Sequence, residues 1–448
     1  MFAVCMFFPK AEKKQQGRQV SQSRASKNAS IADPDRHPPL QNIEEHDNMD
    51  PRHQHLFKRY IAQASNFPPF IVDVAKGEGV YIWNQEGKRY IDFISSICVN
   101  NVGHRNPVVL KALEEQMQKY LHIMVYGEFI QQPQLDLAEE LCGSLPPQLQ
   151  KIFLLNSGSE SIEGAIKLAR LYNHRGEIIS FANSYHGSTM GAMSALGNEP
   201  IRQRFDPLLP EHKMLEYNNT DQLDAISDKT CCVVAEVIQS GGGMMEASQE
   251  FMQKLRQKCT EHGALLIFDE IQSGFGRTGK LFAFEHYNVV PDILCIAKGM
   301  GGGMPIGAFV ASQDLMALLD NEHPLMGHAS TFGGHPMSCV ASLAALRLIK
   351  SPEVLPKVEA KGQRIRRHLQ EIPQVKEVHG KGLFLAAHFE NDEITAKVQE
   401  RCMENGFISF WLLFNHKALA LTPPLTITNE EIDYGMELFK KSVREAVS

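Results

Sequence analysis

The chain predicts an α/β fold: a large domain with a mostly parallel sheet covered by helices, plus a smaller α+β domain drawn from both chain ends. Three observations carry this. Between Lys151 and Ala311, short apolar runs alternate with amphipathic helical patterns, as a parallel sheet with helical crossovers reads. Two of those runs end on charge: Leu266–Phe268 meets Asp269 and Glu270, and Ile293–Ala297 meets Lys298, with four glycines in the next five residues. A charge at the end of a buried strand is costly unless something there needs it. An acid and an amine at two strand ends therefore point to a shared site on the carboxyl edge of the sheet. Third, after a helical stretch at Pro336–Lys350 the pattern changes character.

Taken in order, residues 1–48 are polar after a short apolar start and cannot bury enough surface to offset their ordering entropy. They read as a disordered extension ahead of a start at Met49, without the basic n-region and cleavage site of a secretory signal. Residues 49–100 form an N-terminal segment that contributes to the small domain; Gly77–Phe93 alternates around a Gly-containing turn and predicts a hairpin. Residues 101–345 make the large domain, beginning with a loop at Asn101–Pro107 and a helix over Val108–Leu121. Lys151–Leu155 is a short buried strand entering Asn156-Ser157-Gly158-Ser159-Glu160. The helix that follows is apolar at Ile162, Ala165, Ile166 and Ala169, one face at i, i+3, i+4 and i+7. Further strands fall at Glu177–Phe181, Cys231–Ile238, Ala264–Phe268, Ile293–Ala297 and Ile306–Ala311, with a helix at Gln249–His262. Residues 346–448 form the C-terminal small domain: helix at Glu353–Ile372, strand at Gly382–Phe389, helix at Glu393–Asn405. A capping box at Thr428-Asn429-Glu430-Glu431 opens the final helix.

A length of 448 residues with 43% hydrophobic side chains suffices for two cores. The net charge of −7 is mild and no basic stripe appears, so nucleic acid is not an expected partner. Nine cysteines form neither a disulfide framework nor a CxxC metal pair, and no apolar stretch reaches membrane-span length. The expectation is a soluble cytoplasmic protein without a metal.

At the sheet edge, Gly158 and Ser159 sit where a strand turns into a helix, so their N–H groups and the helix dipole suit a phosphate. Alone, each feature has a plain reading: a helix cap, a strand-end acid, a surface lysine. Together, a phosphate cradle, a carboxylate and a lysine are what pyridoxal phosphate needs. The lysine forms a Schiff base, the acid keeps the pyridine nitrogen protonated and the helix end holds the phosphate.

NSGSESIEGAIKLAR (156–170), SYHGST (184–189), DEIQSGFGRTG (269–279), AKGMGGGMPIGA (297–308) and HASTFGGHPMSCVASLAAL (328–346) resemble the class III aminotransferases. These are fold-type-I pyridoxal-phosphate enzymes that include acetylornithine, ornithine and 4-aminobutyrate aminotransferases. The likeness runs in register from about Gly77 to the C-terminus. It implies that Lys298 carries the Schiff base and then shuttles the proton, so that its removal abolishes turnover. It further implies that Asp269 pairs with the pyridinium nitrogen, Gln272 meets the phenolic oxygen, and Tyr185 and Ile271 cover the two ring faces. Gly158 and Ser159 would hold the phosphate. Thr331 would be donated by a partner subunit, which makes the expected assembly a homodimer with a shared site. Two readings stay open for each of two further residues. His186 is a structural histidine or a cofactor neighbour; Glu236 is a supporting acid or an ordinary strand-end carboxylate. Arg277 reads as a structural arginine rather than a substrate clamp.

Departures from the family fall on substrate recognition. Ser188 stands where HGRT has its arginine, Ala420 where a second arginine precedes the LTPPLTIT segment, and Gly241 where an acid can neutralise that arginine. Losing an arginine together with its counter-charge is self-consistent, because an unpaired buried carboxylate is costly. Either the donor is an ω-amine whose carboxylate is distant or absent, or another cation (Lys417, His416 or Arg401) takes the carboxylate. Trp411 and Phe414 suit an apolar pocket wall or packing within the small domain. The preferred reading is transamination between an ω-amine donor and an oxo-acid acceptor. An acetylornithine/ornithine-type enzyme with a different carboxylate-binding residue, an aminomutase or racemase on the same fold, and a non-catalytic binding protein are the alternatives.

Overall fold

In the computed structural model, residues 50–62, 72–319 and 327–448 are described. The expectations for residues 1–48 lie outside them; Asp50–Ser448 forms one compact unit.

After α1 (Pro51–Tyr60), three antiparallel strands follow: β1 (Val74–Glu78), β2 (Tyr81–Asn84) and β3 (Arg89–Asp92). The predicted hairpin is thus β2–β3, extended by β1 on its outer side. α2 (Pro107–Met117) is capped by the Asn106 side chain with proline at its first position, and α3 (Gln132–Cys142) follows. Next come β4 (Lys151–Leu155) and α4 (Gly158–Asn173), whose Ile162, Ala165, Ile166 and Ala169 are all buried as their spacing requires. Beyond these lie β5 (Glu177–Phe181), β6 (His212–Leu215), β7 (Thr230–Glu236), β8 (Ile238–Gln239), β9 (Met245–Glu246), α5 (Gln249–His262), β10 (Leu265–Asp269), β11 (Ile293–Ile296) and β12 (Gly307–Ala311). The single strand expected over Cys231–Ile238 is broken after Glu236, where the backbone leaves the large sheet for the small β8–β9 pair.

Seven strands form the large sheet in the order β4-β12-β11-β10-β7-β5-β6. All neighbours are parallel except at β12, which runs antiparallel to both β11 and β4. The cause is chain length. Only residues 297–306 join β11 to β12, folded as a tight Gly-rich turn, whereas a parallel return needs a crossover of a dozen residues or more. Six strands therefore point their carboxyl ends the same way, and Leu155, Phe181, Glu236, Asp269 and Ile296 share one edge. Their flanks pack as two apolar layers, one holding Phe181, Val233, Phe251 and Phe268, the other Ile162, Ile166, Val234 and Ile267.

The C-terminal part contains α6 (Pro336–Lys350), α7 (Val358–Gln370), β13 (Glu377–Lys381), β14 (Phe384–His388), α8 (Asp392–Glu404), β15 (Phe407–Ile408), β16 (Phe410–Leu412), β17 (Asn415–Leu421) and α9 (Asn429–Val447). The start of the helix expected at Glu353 is a 3-10 turn at Leu355–Lys357, as Pro356 dictates. Thr428 and Glu431 form the reciprocal capping box at α9. Strand β15 pairs parallel with β3, Phe407 opposite Ile91, so the two chain ends build one sheet. A second sheet, β13-β14-β17-β16, completes this part.

Candidate active site

A cavity of about 460 Å³ opens at the carboxyl edge of the large sheet. Lys298, Asp269, Gln272, Ile271, Gly158, Ser159, Tyr185, Glu236 and His186 all line it. Residues at or just beyond five different strand ends thus meet in one place, although up to 140 positions separate them in sequence (158 to 298).

Asp269 ends β10 between two parallel neighbours, opposite Glu236 of β7 and Cys295 of β11. It is almost fully buried, and both carboxylate oxygens are engaged. Oδ1 accepts the N–H of Ile271 at 3.0 Å, and Oδ2 lies 2.7 Å from His186 Nδ1. That pairing sets His186 directly behind the acid. The other ring nitrogen, Nε2, is buried and has no hydrogen-bond partner among the described residues.

Glu236 supports the same region. Its Oε1 accepts the Tyr185 N–H at 3.0 Å, while Oε2 accepts both the N–H and the hydroxyl of Ser240 at 2.8 and 2.9 Å. Burial pushes its carboxyl above the usual range, and the nearby Asp269 carboxylate adds to this; His186 and the backbone N–H groups of Ser240 and Tyr185 oppose it. Glu270, the second acid of the pair, points elsewhere. Its oxygens accept the N–H groups of Ala283 and Phe284 and the Ser273 hydroxyl, fastening the turn beyond the glycine loop. Burial raises it to about 7.

Lys298 follows β11 at φ 46°, in the left-handed region where non-glycine residues are uncommon. This turn projects a long amine from the sheet edge into the cavity. Across from it, the first N–H groups of α4 have no carbonyl behind them by helix geometry, and Ser157 caps the helix by accepting from Glu160. Two close approaches shape this cradle. A Cβ on Gly158 would fall 2.8 Å from Ile271 Cδ1, and one on Gly187 would fall 2.0 Å from Ser159 Oγ. Glycine at both positions lets Ile271 and the Ser159 hydroxyl seat against the cavity. The Ser159 hydroxyl in turn accepts the Ser188 N–H at 3.1 Å.

The donor set fits pyridoxal phosphate: free N–H groups at a helix start for the phosphate, a fixed carboxylate, an amide, an aromatic ring and an amine. Thr331 is not among the lining residues. It is exposed and its hydroxyl lies 3.1 Å from that of Tyr126. The sequence reading overlooked Ser240, Val99, Ile238 and the Met304–Ile306 turn, which all line the cavity. Ser240 alone carried a signal, following so closely on an acid that ends a strand. No group of metal-ligating side chains is found among the described residues, and no helix there is long and apolar enough to cross a membrane.

Arg277 is fully buried. Its guanidinium donates to the carbonyls of Leu383 and Pro423 and to Asn101 Oδ1, pinning the glycine loop to the C-terminal sheet and the N-terminal segment.

At two of the three departures the structure is closed and apolar, and at the third it is open. Ala420 is buried among Cys98, Ile238, Met244, Phe384 and Leu412. Gly241 lies under Phe414, and a Cβ there would fall 2.8 Å from that ring. The Ser188 hydroxyl is exposed, 3.0 Å from the Tyr185 hydroxyl. None of the three candidate replacement cations lines the cavity. His416 and Lys417 are exposed near the start of β17, and Arg401 pairs with Glu404 on α8 at 2.5 Å. Trp411 stacks on Phe410 with ring centroids 4.4 Å apart; neither it nor Phe414 reaches the cavity wall.

Residues 62–443 match the family described as Aminotransferase class-III. The chain belongs to that family. Over 402 residues it is 38% identical to the acetylornithine aminotransferase of Caldanaerobacter subterraneus, covering 87% of this chain and 98% of that protein. Among solved structures it resembles the ornithine aminotransferase of Toxoplasma gondii at 28% identity and TM-score 0.81, over 88% of this chain and 94% of that one. It also resembles an (S)-enantioselective omega-transaminase from Thermomicrobium roseum at 26% identity and TM-score 0.80, over 88% and 98%. This class III aminotransferase uses pyridoxal phosphate to move an amino group from an amine or amino-acid donor to an oxo-acid acceptor.

Proposed function

We propose that the donor is an ω-amine whose carboxylate is distant from the reacting carbon or absent, and that the enzyme works as a cytoplasmic homodimer with shared sites. The observation behind the donor assignment is that no arginine lines the cavity among the described residues, while the positions at Ser188, Gly241 and Ala420 are neutral. A planar, bidentate guanidinium is the usual partner of a substrate carboxylate. The second reading is an acetylornithine- or ornithine-type donor, favoured by the names of the relative and of the structural neighbour.

The bound cofactor supplies the electron sink that lets a proton leave the substrate carbon. In our reading Lys298 holds it covalently and, once released by the incoming amine, carries the proton between two carbons on the end of its flexible stem. Asp269, held in one orientation by His186 and the Ile271 N–H, would pair with the pyridine nitrogen. Gln272 would donate to the phenolic oxygen. Tyr185 and Ile271 would cover the ring, and the α4 start with Ser159 would hold the phosphate. Thr331, exposed and absent from its own chain's cavity, would complete the site of a second copy. Residues 101–345 would carry the cofactor and 346–448 would close over the substrate. All eight described cysteines are free, as suits a reducing compartment.

The test is a half-reaction: holoenzyme mixed with donor alone, the bound cofactor's absorbance followed as the carbonyl product is released. Simple ω-amines should convert it much faster than N-acetylornithine or ornithine. The reverse order would favour the second reading, and conversion without carbonyl release would point to a mutase or racemase.

A further inference from the structure

The turn that carries Lys298 is held in an uncommon shape from both sides. Ala297 is extended and Lys298 sits at φ 46°, a value that a non-glycine residue keeps only where its surroundings impose it. On the strand side, the Ser161 hydroxyl lies 3.2 Å from the Ile296 carbonyl. One residue beyond the lysine, buried Gly299 is pressed against the side chain of Asn101. A Cβ on Gly299 would fall 2.4 Å from Asn101 Nδ2 and 2.8 Å from its Cγ, so the residue after the lysine has to be glycine.

Asn101 is buried and does not line the cavity. Its amide is fixed at both ends: Oδ1 accepts from the Arg277 guanidinium, and Nδ2 donates to the Phe275 carbonyl at 2.9 Å. Its main-chain carbonyl accepts the Leu425 N–H at 2.7 Å. Arg277 already ties the glycine loop to the C-terminal sheet through the Leu383 and Pro423 carbonyls. What the Asn101 amide adds is a rigid surface under Gly299.

We infer that Asn101 is a positioning residue for Lys298: its amide, packed against Gly299, keeps the lysine turn in the conformation that aims the amine into the cavity. The inference rests on the reading of Lys298 as the residue that holds the cofactor. Without that side chain the turn can relax toward negative φ and carry the root of the lysine away, while Asp269 and the start of α4 keep their own partners.

Full-length apoprotein separates attachment from docking. Pyridoxal phosphate is attacked at its aldehyde carbon by the lysine Nζ, and water leaves as the carbon–nitrogen double bond forms. Pyridoxamine phosphate presents the same ring and phosphate but has no carbonyl to attack. Attachment is timed by borohydride trapping with peptide mass mapping, and docking of pyridoxamine phosphate is measured by calorimetry. Asn101→Ala should slow attachment at Lys298 by about tenfold or more, as a misplaced reacting group does, with the Kd for pyridoxamine phosphate within about twofold of wild type. Attachment at the wild-type rate would overturn the inference. So would weakening of pyridoxamine phosphate to the same extent, which would make Asn101 a structural residue only. Should Asn101→Ala fail to fold by circular dichroism, Asn101→Ser, which keeps a hydroxyl but withdraws the amide from Gly299, is judged by the same two outcomes. If trapping labels a different lysine in the wild type, the Lys298 reading fails and this inference with it.

Discussion

Replacing Arg277 with lysine keeps the charge and most of the volume but removes the fork. The guanidinium is fully buried and serves three strong acceptors at once, the Leu383 carbonyl at 3.1 Å, the Pro423 carbonyl at 2.5 Å, and Asn101 Oδ1. An ammonium on a straight stem cannot reach all of them, so about two acceptors lose their donor. At ~1–3 kcal/mol for each unsatisfied buried group, the loss is about 2–6 kcal/mol. Urea unfolding of wild type and Arg277→Lys, followed by circular dichroism with cofactor concentration held fixed, should show the midpoint falling accordingly. Because these acceptors belong to Asn101, β14's entry and the segment after β17, loss of near-ultraviolet signal should precede loss of helix. A variant within about 0.5 kcal/mol of wild type, the range of an ordinary surface change, would refute the claim that this residue pins the glycine loop.

Two further substitutions set opposing effects against each other. Glu270 is raised to about 7 by burial, so the fold favours its protonated form. Its contribution is present below the unfolded carboxyl value of about 4.3 and is lost as pH rises through about 7. Glu270→Gln should therefore flatten the decline in urea midpoint between pH 5 and 7, while lowering all midpoints because an amide N–H would face the Ala283 or Phe284 N–H; an unchanged slope would contradict this. Gly362→Ala sits inside α7, where helix propensity alone predicts a gain of ~1 kcal/mol. The added Cβ would fall 2.0 Å from the Gly382 carbonyl oxygen, so a net loss in melting temperature is expected; a gain would show that the approach of α7 to the β13–β14 turn is slack.

Much of the large sheet was legible because its strands are short apolar runs with abrupt polar ends. Lys151–Leu155, Glu177–Phe181 and the helix Gln249–His262 fall on their expected limits. The site's location was legible for a related reason. Asp269 and Lys298 are charges directly after buried runs, and parallel strands bring such ends to one edge. The antiparallel sense of β12 was not, since an apolar run reads the same in either direction; only the brevity of the connection decides it. Nor was the fastening of the Gly241–Gly243 loop, because Phe414, Asn415 and His388 lie more than 140 positions away and donate to backbone carbonyls, which leave no trace in sequence. His186 gained its partner in the same manner: a histidine in a motif announces neither Asp269 nor the unpartnered Nε2.

The central claim is that Lys298 is the residue to which pyridoxal phosphate is bound, at the cavity where Asp269 and the start of α4 converge. Borohydride reduction of the purified holoenzyme, followed by peptide mass mapping, tests it without reliance on turnover. The reduced cofactor's mass should appear on the peptide containing Lys298 and be absent from Lys298→Ala. Labelling of a different lysine, or none in a protein shown to retain the cofactor, would contradict it.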